Sequence, residues 1–115
     1  MMKRKNEILE LSFQFAFEVI QYCEILEEGR KYVISRQLLK SGTSIGANVR
    51  EAQAPQSRAD FISKMTIALK EAHETAYWLE LCHACPSYPN PTELTPMINS
   101  IKSLLGKITY NGKRG

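Results

Sequence analysis

With 115 residues, of which 43% are apolar and 23% charged, the chain has room for one domain around one core and too much hydrophobicity for disorder. No apolar run approaches the ~20 residues needed to span a bilayer, and Glu10, Gln14 and Glu18 interrupt the stretch behind the basic start, so neither a membrane segment nor a secretory signal is expected. Cys23, Cys82 and Cys85 are an odd set that cannot all pair, which points to a reducing, cytoplasmic setting.

The periodicity predicts four helices, at about 6–28, 32–53, 58–84 and 95–109, in a single domain over 1–115. In the first, Asn6 is placed to cap, with Glu7 and Glu10 near the positive end of the helix. Ile8, Leu11, Phe15, Val19, Tyr22 and Leu26 recur at helical spacing, with Leu9, Phe13, Ala16, Ile20 and Cys23 on the flank. This apolar arc covers roughly 200°, against the ~100° or more that a surface helix needs, so a second partner is required. Gly29 fits the left-handed residue that closes such a helix.

The second helix contains Ser41-Gly42-Thr43-Ser44-Ile45-Gly46, and two interior glycines cost ~1 kcal/mol each relative to alanine. Propensity alone leaves a loop open. Phase favours helix, because Leu38, Leu39, Gly42, Ile45, Gly46, Val49 and Ala52 share one face while Ser41, Ser44, Asn48 and Glu51 share another. The glycines then mark a close helix approach or a bend. Ala54-Pro55-Gln56 breaks the chain, and Ser57-Arg58-Ala59-Asp60 approximates a capping box. The third helix carries Phe61, Met65, Ala68, Ala72, Ala76 and Leu79 on its main face and must end before Pro86. The fourth begins near Thr95, with Pro96 in its first turn, and its apolar stripe spans only ~120°, the width of a helix packed on one side. Short connections make neighbours antiparallel, so the expected fold is all-α: an up-down-up-down four-helix bundle.

No motif supplies convincing chemistry. Cys82-His83-Ala84-Cys85 sits at a helix C-terminus, where the dipole opposes a reactive thiolate, and lacks the further ligands that zinc needs. Glu80-x-x-His83 lacks the second copy that di-iron bundles use. Gly42–Gly46 has neither the Lys-Ser/Thr of a phosphate loop nor a strand before it. Ile67, Glu71, Glu74 and Trp78 form one stripe of the third helix. Its carboxylates are expected to face water or to pair with Arg36 or Arg50, within the chain or between subunits, in preference to acting as a catalytic dyad. No enzyme activity, metal, cofactor or small-molecule substrate is expected.

Two blocks resemble a known family. Ser35-Arg-Gln-Leu-Leu-Lys-Ser-Gly-Thr-Ser-Ile-Gly-Ala-Asn-Val-Arg-Glu-Ala52 is similar to the signature of the bacterial four-helix-bundle family first noticed as open reading frames in 23S ribosomal RNA intervening sequences. Ser57–Leu79 matches that family's third-helix pattern. Gly46 stands where many relatives carry proline, which softens the bend expected there. The resemblance implies a continuous second helix, a ring-shaped homopentamer and no enzymatic activity. A distant relative, the accessory variability protein of diversity-generating retroelements, is a pentameric barrel that binds a reverse transcriptase and nucleic acid.

The net charge of +3 is unevenly spread, because residues 92–115 hold four basic side chains against one acidic. Lys3, Arg4, Lys5, Lys102, Lys107, Lys113 and Arg114 are the candidate contacts to RNA or to a nucleic-acid-processing partner. The alternative is solubilising charge on a protein-interaction scaffold. Phe17, Ile67, Trp78 and Leu81 are the candidate interface between copies, with Trp78 as an anchor.

Overall fold

A computed structural model describes residues 6–114, with the side chain of Arg114 outside the description. The described residues form four α-helices and no strand: α1 (Glu7–Glu28), α2 (Tyr32–Glu51), α3 (Arg58–Ala84) and α4 (Leu94–Arg114). Each helix packs on its neighbours in sequence, and α4 returns to α1, so the four close a cycle in which α1 stands diagonally across the core from α3. Phe15, Leu26, Leu38, Ile45, Met65, Leu79, Ile101 and Leu105 fill the centre.

Local chemistry sets most of the boundaries. Asn6 caps α1 by accepting a hydrogen bond from the Leu9 amide at 3.2 Å, and its own amide group donates to Gln53 Oε1 at 2.6 Å. Ser57 caps α3 through the Asp60 amide at 3.0 Å. The reciprocal half of that box is displaced by one residue, because Asp60 Oδ2 accepts from the Gln56 amide at 3.0 Å. At the end of α1 the glycine expectation is corrected. Gly29 has φ −89°, and the left-handed residue is Arg30 at φ 62°. The Lys31 amide reaches the Leu26 carbonyl at 2.8 Å and the Arg30 amide reaches Glu27 at 3.0 Å, which is the Schellman pattern with arginine at its left-handed position.

The α2 helix is unbroken through Gly42–Gly46, as the phase of its side chains requires. Its glycines lie in the seam with α1. A methyl group on Gly42 would sit 3.1 and 3.2 Å from the two Val19 methyls, and one on Gly46 would sit 3.3 Å from the Ser12 carbonyl oxygen. These glycines serve close helix packing. Two helix ends differ from expectation. The α2 helix stops at Glu51, two residues early, and α4 runs five residues past 109 to Arg114. Gly106 and Gly112 lie inside α4. Gly112 packs closely on Ile62, and its carbonyl accepts from the Arg58 guanidinium at 3.3 Å, so contact with α3 holds the added turn.

The buried polar groups are satisfied. Ser41 and Thr75 join α2 to α3 through their hydroxyls at 2.8 Å, and Ser35 donates to the Cys23 carbonyl at 3.3 Å. Tyr22 donates to the Pro89 carbonyl at 2.6 Å, fixing the α3–α4 connection to α1. No buried side-chain nitrogen or oxygen among the described residues lacks a partner.

Candidate interaction surface

The sequence-predicted site residues separate into three groups. Lys3, Arg4 and Lys5 lie outside the described residues, as does the Arg114 side chain. On α4, Lys107 and Lys113 are exposed and Lys102 is half-buried, in a groove between α3 and α4 that Glu80 and His83 also line. Five residues separate Lys102 from Lys107, which turns them ~140° apart around the helix, whereas Lys113 returns to within ~20° of Lys102. The cations of α4 therefore do not share one stripe.

The expected pairing of Arg36 and Arg50 with Glu71 and Glu74 is not made within the chain. Among the described residues the one ion pair is Lys64–Asp60, at 3.1 Å within a single turn of α3. The Arg50 guanidinium instead stands 5.6 Å from the centre of the Phe13 ring, a cation–π contact. Glu74 accepts from the Trp78 indole N–H at 3.1 Å. Arg36 and Glu74 are exposed and Glu71 is half-buried.

Of the four candidate interface residues, Phe17 and Ile67 are 52% and 43% exposed. Trp78 and Leu81 are half-buried, and Trp78 packs against the edge of the core with its ring centre 5.4 Å from that of Tyr77. Sequence reasoning missed several residues of the apolar surface. Phe13 is 60% exposed and Val33 66% exposed, and Ile20, Leu39 and Tyr77 also face outward. The wide apolar arc of α1 signalled that part of it stays uncovered, but not that Phe13 and Ile20 are that part. The shared face assigned to Leu38 and Leu39 splits, with Leu38 buried and Leu39 exposed.

The remaining candidate chemistry is structural. Burial pushes the Cys23 thiol up to about 11, partly offset by its hydrogen bond with Ser35. Burial likewise raises Cys82 and holds the Tyr22 phenol far above its ordinary range. The thiolate that a redox pair needs is thus disfavoured at Cys82. His83 Nδ1 lies 3.3 Å from the Asn90 side-chain oxygen, in the loop that ends α3. Among the described residues, no three His, Cys, Asp or Glu side chains gather as metal ligands, and no helix is long and apolar enough to cross a membrane.

No curated protein matches the sequence. A solved structure from Bacteroides thetaiotaomicron VPI-5482, a protein with unknown function from the S23 ribosomal protein family, is 43% identical in sequence and superposes with a TM-score of 0.83. The match covers 89% of this chain and 97% of that one. Residues 4–109 fit the model of the 23S rRNA-intervening sequence protein family. With nearly the whole helical region matched in sequence and in structure, the chain belongs to the 23S rRNA-intervening sequence protein family.

Proposed function

We propose that this chain is a non-enzymatic, single-domain four-helix bundle of up-down-up-down topology that assembles into a ring-shaped homopentamer in the cytoplasm. In this reading it binds structured RNA, or a ribonucleoprotein partner, through basic surface. The topology is supported by connections of three, six and nine residues, short enough to favour antiparallel neighbours. Assembly is supported by exposed Phe13, Phe17 and Ile20, which share one side of α1 and which a second copy would cover.

The observation that carries the RNA reading is uncompensated positive charge at the C-terminal end. Residues 92–115 carry four cations against one acid, and Lys102, Lys107 and Lys113 make no ion pair among the described residues. One copy at +3 is a weak polyanion ligand, but five copies at +3 each place +15 on one body. Charge of that kind binds phosphate backbones without reading sequence. The turn of Lys107 away from Lys102 and Lys113 fits engagement of phosphates on more than one side better than a single groove.

Fluorescence anisotropy with a labelled RNA hairpin tests this. Binding should weaken steeply with added salt. Neutralising Lys3, Arg4, Lys5, Lys113 and Arg114 together in the full chain should lower the log–log salt slope by ~0.9 for each phosphate that the protein no longer neutralises. Absence of binding at low ionic strength moves the reading to a protein-interaction scaffold. The outward Val33 and Phe13 favour that second reading, since a protein partner would cover them.

A further inference from the structure

The tertiary structure sorts the charges by end. Asn6, at the start of α1, bonds to Gln53 just past α2, and Arg58, at the start of α3, bonds to Gly112 near the end of α4. These four termini therefore share one end of the bundle, while Ser35 on Cys23 and Tyr22 on Pro89 mark the other. With each helix divided at its middle, the half that holds the start of α1 carries six basic and four acidic side chains among the described residues. Lys3, Arg4, Lys5 and Arg114 adjoin that half in sequence. The other half, counting Glu71 at the divide, carries five basic and eight acidic groups.

At the basic end the acids keep to one side. Glu10 and Glu51 belong to α1 and α2, and Glu7 lines the groove between α1 and α4. The α4 helix contains no acidic residue, and the first half of α3 contains only Asp60, which Lys64 holds at 3.1 Å. Between these two helices runs an open groove of about 690 Å³, lined by Arg58, Ile62, Ser63, Thr66 and Lys113 among others. The Arg58 guanidinium donates to the Gly112 carbonyl at 3.3 Å, which uses one of its five N–H groups and holds it beside Lys113. Thr66 spends its hydroxyl on the Ile62 carbonyl, whereas Ser63 and Lys113 are exposed. Ser63, Thr66 and Lys70 lie within ~60° around α3, so Lys70 continues the row. The next carboxylate along it is Glu74, which accepts from the Trp78 indole at 3.1 Å and makes no ion pair with Lys70. Glu80, in the α3–α4 cavity at the opposite end, lies ~33 Å along α3 from Arg58.

Resting on the RNA reading above, we propose that one of the sides on which phosphates are engaged is this groove, where Arg58, Lys70 and Lys113 hold a stretch of RNA backbone. Arg58 offers its remaining N–H groups to one phosphate as a planar fork, and Lys113 adds a point charge beside it. The Ser63 hydroxyl supplies a neutral donor between Arg58 and Lys70. Arg58 and Lys70 stand ~18 Å apart along α3, too far for one phosphate to bridge, so the site suits a polymer in preference to a free phosphate. Its walls, Ile62 and Ile67, have no hydrogen-bonding groups with which to read a base edge, so the contact is blind to sequence. A bilayer surface would reach only the rim of a groove, whereas a strand can lie in it.

The test compares two full-length double variants that lose the same net charge. Lys70→Gln with Lys113→Gln empties the groove at two exposed positions, and Arg36→Gln with Lys40→Gln removes two exposed cations from the other half. Circular dichroism should show that both keep their helices. Anisotropy with a labelled RNA hairpin, titrated over a range of salt, should give the groove variant a log–log salt slope lower by ~1.8, for two phosphates no longer neutralised. The Arg36 and Lys40 variant should keep the wild-type slope. Arg58→Gln should lower the slope by ~0.9 and Arg58→Lys should restore it, which separates the charge of Arg58 from its bond to Gly112. If the two double variants lose the same slope, binding follows net charge alone, and the inference fails while the RNA reading stands. If vesicles of anionic phospholipid displace the hairpin at equal phosphate concentration, the groove serves a membrane surface and the inference fails. Absence of hairpin binding by the wild type at low ionic strength removes both the inference and the reading beneath it.

Discussion

Replacing Gly46 with alanine sets two effects of similar size against each other, and the structure identifies a control that separates them. Alanine gains about 1 kcal/mol of helix propensity over glycine at an interior position. At Gly46 the new methyl would stand 3.3 Å from the Ser12 carbonyl oxygen and 3.6 Å from the carbonyl carbon. These are backbone atoms of α1 and cannot rotate away, so the two helices must part by a few tenths of an ångström. One turn earlier, Gly42 already presses on Val19, whose branched side chain is buried and has little rotamer freedom. Overpacking of this kind costs ~1–3 kcal/mol, and a single methyl belongs at the low end. The net change at Gly46 should therefore lie within about 1 kcal/mol of zero. Gly106, inside α4, has nothing within 4 Å of the equivalent position, so Gly106→Ala should keep its full gain of about 1 kcal/mol. Urea unfolding followed by circular dichroism, at one fixed protein concentration because assembly adds to stability, measures both. The difference between the two variants is the packing cost of the seam. Equal stabilisation by both would refute the close approach of α1 and α2 at Gly46.

Three further outcomes are expected from the geometry. Arg30→Gly should stabilise the protein by about 1 kcal/mol in the same urea assay, because it relieves a left-handed non-glycine residue at φ 62°; destabilisation would mean that the Arg30 side chain contributes more than the strain costs. Asn6→Ala should lose about 1 kcal/mol through the missing cap, and hydrogen exchange should rise in the first turn of α1. Stability should fall as pH rises from 9 toward 11. The Cys23 thiol is raised from 9.0 to about 11 in the folded chain, so between those values the unfolded chain has released a proton that the folded one retains; stability that is flat over this interval in urea titrations would contradict the burial of Cys23.

Much of the fold was legible in the residues alone, and the reasons differ by element. The α2 helix could be read through its glycines because seven residues kept helical phase across a stretch of poor propensity. The caps at Asn6 and Ser57 could be read because a short polar side chain next to an apolar-periodic segment has one obvious use. The last turn of α4 could not, since nothing local in Thr109–Gly112 favours helix; contact with Ile62 and Arg58, some fifty residues away in sequence, holds it. The pairing of Arg36 and Arg50 with Glu71 and Glu74 was a reasonable expectation from helical spacing, but spacing places charges only on their own helix. The turn of α2 against α3 leaves these groups apart.

The sequence by itself determined that the chain is all-helical, roughly where each helix starts, and that it carries more apolar surface than one bundle can bury. Those properties follow from periodicity and capping, which act within a few residues. Only the tertiary structure decided which part of the apolar arc of α1 stays outside, that Arg50 stacks on Phe13, and that Glu71 and Glu74 have no cation beside them within the chain. These depend on how the helices are rotated against one another. For α1 and α2 that rotation is set by the fit of Val19 and Ser12 onto Gly42 and Gly46, a contact between residues more than twenty positions apart, which neither helix specifies alone.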